Sequence, residues 1–162
     1  MQQAKTQLIG ELSELLNHGI GEVFTTMFSS QVEPTLPPDF SQSEEQLVAG
    51  SVGFVGDANG VVYIYLTCGL ARRLAAIMLQ MSDSDLDDSM VNDVVAEITN
   101  MVVGSVKSNL CDRGTVCALT IPSIVRGRDF STEASAGSER AHLGYECDQG
   151  RFFVEVIARP HP

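Results

Sequence analysis

The sequence predicts an α+β fold, helices packed on a largely antiparallel sheet, in a single domain over residues 1–162 with two pseudo-repeated halves. Three observations carry this. Stretches with apolar residues at helical spacing are interrupted by pairs of apolar segments joined through turn residues, which read as hairpins rather than as strict β-α alternation. The chain has 162 residues, of which 44% are hydrophobic and 19% charged, enough apolar material for one core. The segment Glu14-Leu-Leu-Asn17-His-Gly-Ile-Gly21-Glu-Val23 also aligns without gaps on Glu97-Ile-Thr-Asn100-Met-Val-Val-Gly104-Ser-Val106. Both read E-x-x-N-x-x-x-G-x-V, and Pro37 and Pro122 follow at similar distances, which suggests an internal duplication.

The elements follow in order. Leu8, Leu12, Leu15, Leu16, Ile20, Val23, Phe24 and Met27 form one apolar helix face. Gly19 and Gly21 interrupt it at roughly 1 kcal/mol each relative to Ala, which predicts a kink or a backbone closely approached by another element. Residues 34–43 (PTLPPDFSQS) read as a loop. Residues 46–55 and 61–67 form a hairpin around Asp57-Ala58-Asn59-Gly60. Helical periodicity returns over 69–81, and the acidic stretch 82–89 leads into a long helix from about Asp88 to Leu110, its acids suited to the positive N-terminal end. A strand over 116–121 ends at Pro122. A second hairpin pairs 140–147 with 151–158 around Asp148-Gln149-Gly150, and Pro160 and Pro162 close the chain.

Charge excludes whole classes of function. With 21 acidic against 10 basic residues the formal net charge is −11. The basic residues cluster only at Arg72-Arg73 and Arg126-Gly127-Arg128, too few to displace phosphate counterions, so neither nucleic acid nor an anionic membrane is an expected partner. No apolar run reaches the roughly 18 residues of a spanning helix, and MQQAKTQLIG lacks a signal-peptide layout, so a cytoplasmic protein is expected. Cys68, Cys111, Cys117 and Cys147 form no C-x-x-C and are expected to be buried free thiols.

Several familiar constellations fail. Asp83-x-Asp85-x-Asp87 opens like an EF-hand loop, but Asp88 replaces its glycine and Val94 its closing glutamate, leaving a solvated acidic helix lead-in. Gly19-x-Gly21 and Gly53-x-x-Gly56 extend to no nucleotide-cradling loop. His18, His142 and His161 have no local nucleophile signature. The long helix is more informative. Val94, Val95, Ile98, Met101, Val102 and Val106 bury one side, while Asp93, Glu97, Asn100 and Gly104 line up as one polar stripe. Ending at a residue without a side chain, such a stripe suits close approach by another protein, and a solvated helix face would share the same spacing.

From Gly69 to Phe130 the chain resembles the CheC/CheX/FliY family of bacterial chemotaxis phosphatases, most closely its CheX branch. The likeness lies in GLARRLAAIMLQM, an acidic connector, AEITNMVVGSVKSNL, and then LTIPSIVRGRDF, with Pro122 and Gly127-Arg128-Asp129 where the family has a similar Pro and G-R-D. It covers a little over a third of the chain, and the family's fold agrees with the α+β reading. Thr99, Met101 and Val102 depart from the small residues common around this motif.

The resemblance implies hydrolysis of the aspartyl phosphate on a CheY-like response regulator, with Glu97 and Asn100 as the catalytic pair. An acyl phosphate is already activated, and the receiver brings its own carboxylates, Lys and Mg²⁺, so no cofactor is expected on this chain and the phosphatase need only orient water. A neutral amide such as that of Asn100 can accept from that water without setting a second charge beside the phosphoryl dianion. Glu97, by resemblance, pairs with the receiver's Lys and fixes the docking register, with Asp93 extending the contact. Glu14 and Asn17 match the pattern of two-site members, whereas length and the G-R-D segment favour the branch in which the second-half site works. The resemblance also implies a homodimer, formed through strand edges or the sheet. The competing reading is a non-catalytic receiver-binding or flagellar-switch-type adaptor.

Overall fold

The computed structural model describes residues 2–161; Pro162 lies outside them. A long helix α1 (Gln2–Phe28) precedes strands β1 (Glu33–Thr35), β2 (Leu47–Gly56) and β3 (Ala58–Thr67). Helix α2 (Cys68–Leu79) and a 3-10 turn at Asp83–Asp85 lead to α3 (Asp88–Asp112). Strands β4 (Cys117–Leu119), β5 (Ser123–Gly127), β6 (Glu139–Cys147) and β7 (Gly150–Pro160) complete the chain. The predicted α+β class therefore holds: three α-helices among the described residues pack on one antiparallel sheet of order β1-β6-β7-β3-β2-β4, with β5 also on β2. No helix among the described residues is long and apolar enough to cross a membrane.

The sheet order expresses the duplication. Each half contributes a hairpin, β2-β3 or β6-β7, and the two join at the β3-β7 pair. Each half also sends a strand to the far side of the other's hairpin: β1 pairs with β6, and β4 and β5 pair with β2. Because every outer contact crosses between the halves, neither half completes its own piece of sheet.

Alternation along the strands decides what is buried. Val62, Ile64 and Leu66 of β3 and Phe152, Val154 and Val156 of β7 point into one core with Leu12, Leu16, Ile20 and Phe24 of α1 and Ile98 and Val102 of α3. Phe24 stacks on Phe152 at 5.1 Å between ring centroids. The helix ends are capped by side chains: Thr67 accepts from the Leu70 N–H at 3.2 Å to start α2, and Asp87 from the Met90 N–H at 2.8 Å to start α3.

Several expectations are corrected. The loop expected over 34–43 begins inside β1, where Pro34 is tolerated because β1 is an edge strand and needs no donor on its open side. The strands of the first hairpin extend further than expected, to Gly56 and from Ala58, but beyond Phe54↔Gly60 they part, Val55 and Gly56 pairing with β4 and Ala58 and Asn59 with β7. The strand expected over 116–121 is shorter, and a second one, β5, follows Pro122; β4 pairs with one end of β2 and β5 with the other. Thr120 bridges them, its Oγ1 accepting from the Gly53 N–H at 2.8 Å and its N–H donating to the Gly53 carbonyl at 2.9 Å. Helix α1 runs unbroken, so Gly19 marks close approach rather than a kink: a Cβ there would stand 3.3 Å from the Val102 carbonyl oxygen of α3. Among the thiols, all free, only Cys117 and Cys147 are buried; Cys68 is half-buried, and Cys111 is exposed because it falls seven residues after Gly104, on the outer helix stripe.

Candidate functional site

Helix α3 is held on three sides, which determines what it can present. Beneath it, β2 comes so close at Gly50 that a Cβ there would collide with Oγ1 of Thr99, whose hydroxyl donates to the Val95 carbonyl at 2.7 Å. Beside it, α1 packs antiparallel: Arg113, just past the end of α3, reaches Glu11 at 3.1 Å, and Ser105 donates to Glu22 at 3.4 Å. At its start, Arg126 of β5 donates from Nε to Oδ1 of Asn92 at 2.5 Å and from Nη2 to the Asp88 carbonyl at 3.4 Å. The remaining face carries Asp93, Glu97 and Asn100, all exposed.

Glu97 and Asn100 thus share the outer face one turn apart, and neither makes a hydrogen bond or ion pair within the described residues. A Cβ on Gly104 would meet nothing within 4 Å, so that glycine serves no packing need among the described residues and leaves the helix surface low. Of the residues around Asn100 that set this sequence apart, Thr99 and Val102 are fully buried and face the core; Met101, half-buried, flanks the stripe on the α1 side.

The matching pair on α1 is differently employed. Asn17 is exposed, but its Oδ1 accepts a 2.6 Å hydrogen bond from the hydroxyl of Tyr145 on β6. Glu14 stands 4.0 Å from Nη2 of Arg113. His18 makes a surface pair with Glu22 at 3.5 Å, the helix-face role its position predicts. The sequence offers no signal for the Tyr145 contact, which joins residues 128 positions apart.

A second polar cluster lies on the sheet face away from the helices. Glu155, only 3% exposed, accepts from Tyr65 at 3.2 Å and from Thr132, and contacts His142 Nε2 at 2.5 Å and Arg140 Nε at 3.4 Å. Tyr65 stacks on Phe153 at 4.4 Å, and Phe40 and Phe130 close over the pair at 5.8 and 5.7 Å, around a cavity of about 460 Å³. These groups fasten the segments around 40 and 130 to the sheet. A signal existed: Glu155 is the one acid inside the otherwise apolar run FFVEVIA, at an alternation position opposite the core. It lies across the sheet from Glu97 and Asn100.

The acidic lead-in to α3 is tied into the fold at two points. Asp83 pairs with Arg72 at 3.0 Å, and Asp87 caps α3. Among the described residues no three His, Cys, Asp or Glu side chains converge as metal ligands.

A model of the chemotaxis phosphatase CheX family matches residues 48–146. No curated protein matches the chain. Among solved structures, chemotaxis protein CheX from Vibrio vulnificus is 26% identical, with 91% of this chain and 96% of that chain covered and a TM-score of 0.78. A CheX from Desulfovibrio desulfuricans is 24% identical, covering 90% and 97%, with a TM-score of 0.74. The CheX in a CheX-CheY-BeF3-Mg²⁺ complex from Borrelia burgdorferi is similar in fold at 21% identity, covering 90% and 96%, with a TM-score of 0.70. The family match takes in β2 from its second residue, β3, α2 and the whole of α3 with its exposed Glu97 and Asn100, and by that match the chain belongs to the chemotaxis phosphatase CheX family.

Proposed function

We propose that this protein hydrolyses the aspartyl phosphate of a CheY-like receiver, with Asn100 orienting the attacking water and Glu97 docking the receiver. The single observation that carries the residue assignment is that these two side chains, one turn apart on a rigidly seated helix, have no hydrogen-bond or ion-pair partner within the described residues. Membership of a phosphatase family and the receiver bound by the Borrelia burgdorferi relative support the substrate class.

The chemistry asked of the chain is small. Asn100 offers a carbonyl that accepts a water proton and an N–H that donates, fixing the water in line with the phosphorus while adding no charge. Glu97 supplies a carboxylate for a cationic group of the receiver, and the bare backbone at Gly104 admits close contact. Mg²⁺ would sit on the receiver, held by that partner's own carboxylates; nothing in this mechanism asks a metal of this chain.

The protein is also proposed to pair with a second copy through the β4-β5 edge. Val125, 49% exposed, lies there with Val55, 59% exposed, on the face away from the helices, and β5 has a partner strand on one side only.

The test is the decay of a phosphorylated receiver at substoichiometric protein. Wild type is expected to clear excess phospho-receiver, and Asn100→Ala to lose most of that acceleration while keeping the fold. Stoichiometric binding without turnover would favour the adaptor reading; equal acceleration by both proteins would remove Asn100 from the mechanism.

A further inference from the structure

The duplicated helices carry the same E-x-x-N pair on the same outer surface, yet the fold treats the two asparagines differently. Asn100 is unpartnered within the described residues. Asn17 is taken by Tyr145, whose ring is buried on β6 and whose hydroxyl has Asn17 Oδ1 as its acceptor at 2.6 Å. Burial pushes the Tyr145 phenol well above its ordinary value, so it stays a proton donor across the physiological range. Strand β2 stands under α3 as β6 stands under α1, but where α3 crosses it there is Gly50, filled by Thr99, and no hydroxyl rises to Asn100. The acids differ too: Glu14 lies beside Arg113, which Glu11 already holds, while Glu97 makes no ion pair within the described residues.

We propose that Tyr145 makes this a one-site protein: its hydroxyl commits the Asn17 carbonyl to the fold, so that Glu14 and Asn17 form a latent copy of the Glu97/Asn100 site. Water orientation needs that carbonyl as a proton acceptor. The phenol takes one lone pair of that carbonyl and holds the amide turned toward β6, away from the geometry an incoming water needs, and turning the amide over would leave a buried hydroxyl with nothing to donate to. The first-half pair then serves as a clasp: Asn17 ties α1 to β6, and Glu11 and Glu14 tie it to the end of α3 through Arg113. Tyr145 acts through Asn17 and touches no receiver, so its role is one of positioning.

This inference rests on the phosphatase reading above, and the experiment separates the two. Phospho-receiver decay is measured with wild type, Asn17→Ala, Asn100→Ala, Tyr145→Phe/Asn100→Ala, and the triple variant that adds Asn17→Ala. Tyr145→Phe removes only the hydroxyl and keeps the ring in the core. Asn17→Ala alone is expected to leave turnover within twofold of wild type while lowering the melting temperature. The double variant is expected to regain several-fold turnover over Asn100→Ala, and the triple variant to lose it again; that dependence on Asn17 is a readout a purely structural tyrosine would not give. A folded double variant no faster than Asn100→Ala would overturn the latent site, as would Asn17→Ala costing as much turnover as Asn100→Ala. A wild type that accelerates nothing would instead overturn the phosphatase reading, and the latent site with it.

Discussion

Thr99 occupies the space that a side chain at residue 50 would need: its Oγ1 would clash with a Cβ built on Gly50, so α3 sits down onto β2 immediately before Asn100. Both residues are buried, so the contact has little room to relax. Gly50→Ala should therefore push the helix off the strand, costing about 1–3 kcal/mol as overpacking does. Urea unfolding would measure that loss, and turnover should fall with it because Asn100 moves with the helix. A Gly50→Ala protein as stable as wild type would show that the seat is looser than the geometry implies.

Asn100→Ala should slow receiver dephosphorylation about a hundredfold, the scale on which misplaced reacting groups lose rate. Its stability should change by less than about 0.5 kcal/mol, since the position is exposed and unpartnered within the described residues. Glu97→Ala should raise KM as well as lower kcat, because the proposed mechanism uses that carboxylate for both docking and register. Single-turnover decay at several concentrations separates the two effects.

Glu155→Ala should destabilise the fold by about 3 kcal/mol, since it removes a buried acceptor shared by Tyr65, Thr132, His142 and Arg140. Turnover per folded molecule should be unchanged, because the cluster and Asn100 lie on opposite sides of the sheet. Thermal melting together with the decay assay checks both halves of this statement.

Stability should fall in strong alkali, and two tyrosines should account for much of the fall. Burial is the main cause that raises both Tyr65 and Tyr145 in the folded state. The unfolded phenols ionise near their ordinary value of about 10, so the stabilisation they confer is complete below that pH and is lost as pH rises above it. Denaturant midpoints measured from pH 8 to beyond 10 should drop for wild type and drop less for Tyr145→Phe.

Val125→Lys should dissociate the proposed dimer, since it sets a charge on the open β5 edge without touching the core. Sedimentation velocity across a concentration series would show a smaller species than wild type. Unaltered association would direct attention away from this edge.

Local signals specified the three helices, the two hairpins and which helix faces are buried. Periodicity placed α3 from Asp88, as observed, and put Glu97 and Asn100 on its outer stripe, because both are local properties of a helix and its caps. The repeat was legible for the same reason, since aligned residues need no knowledge of contacts. Tertiary structure alone decided the rest. Strands β1 and β5 are short, and their residues become sheet only by pairing across the halves, which no local signal records. The kink suggested by Gly19 became a contact because α3 lies against it. Above all, two pairs that read identically along the chain became unlike in the fold: Asn17 meets Tyr145 from 128 residues away, and Asn100 meets nothing within the described residues. Which asparagine is left unpartnered is set by long-range strand placement, and for that reason it could not be read from the spacing of either motif.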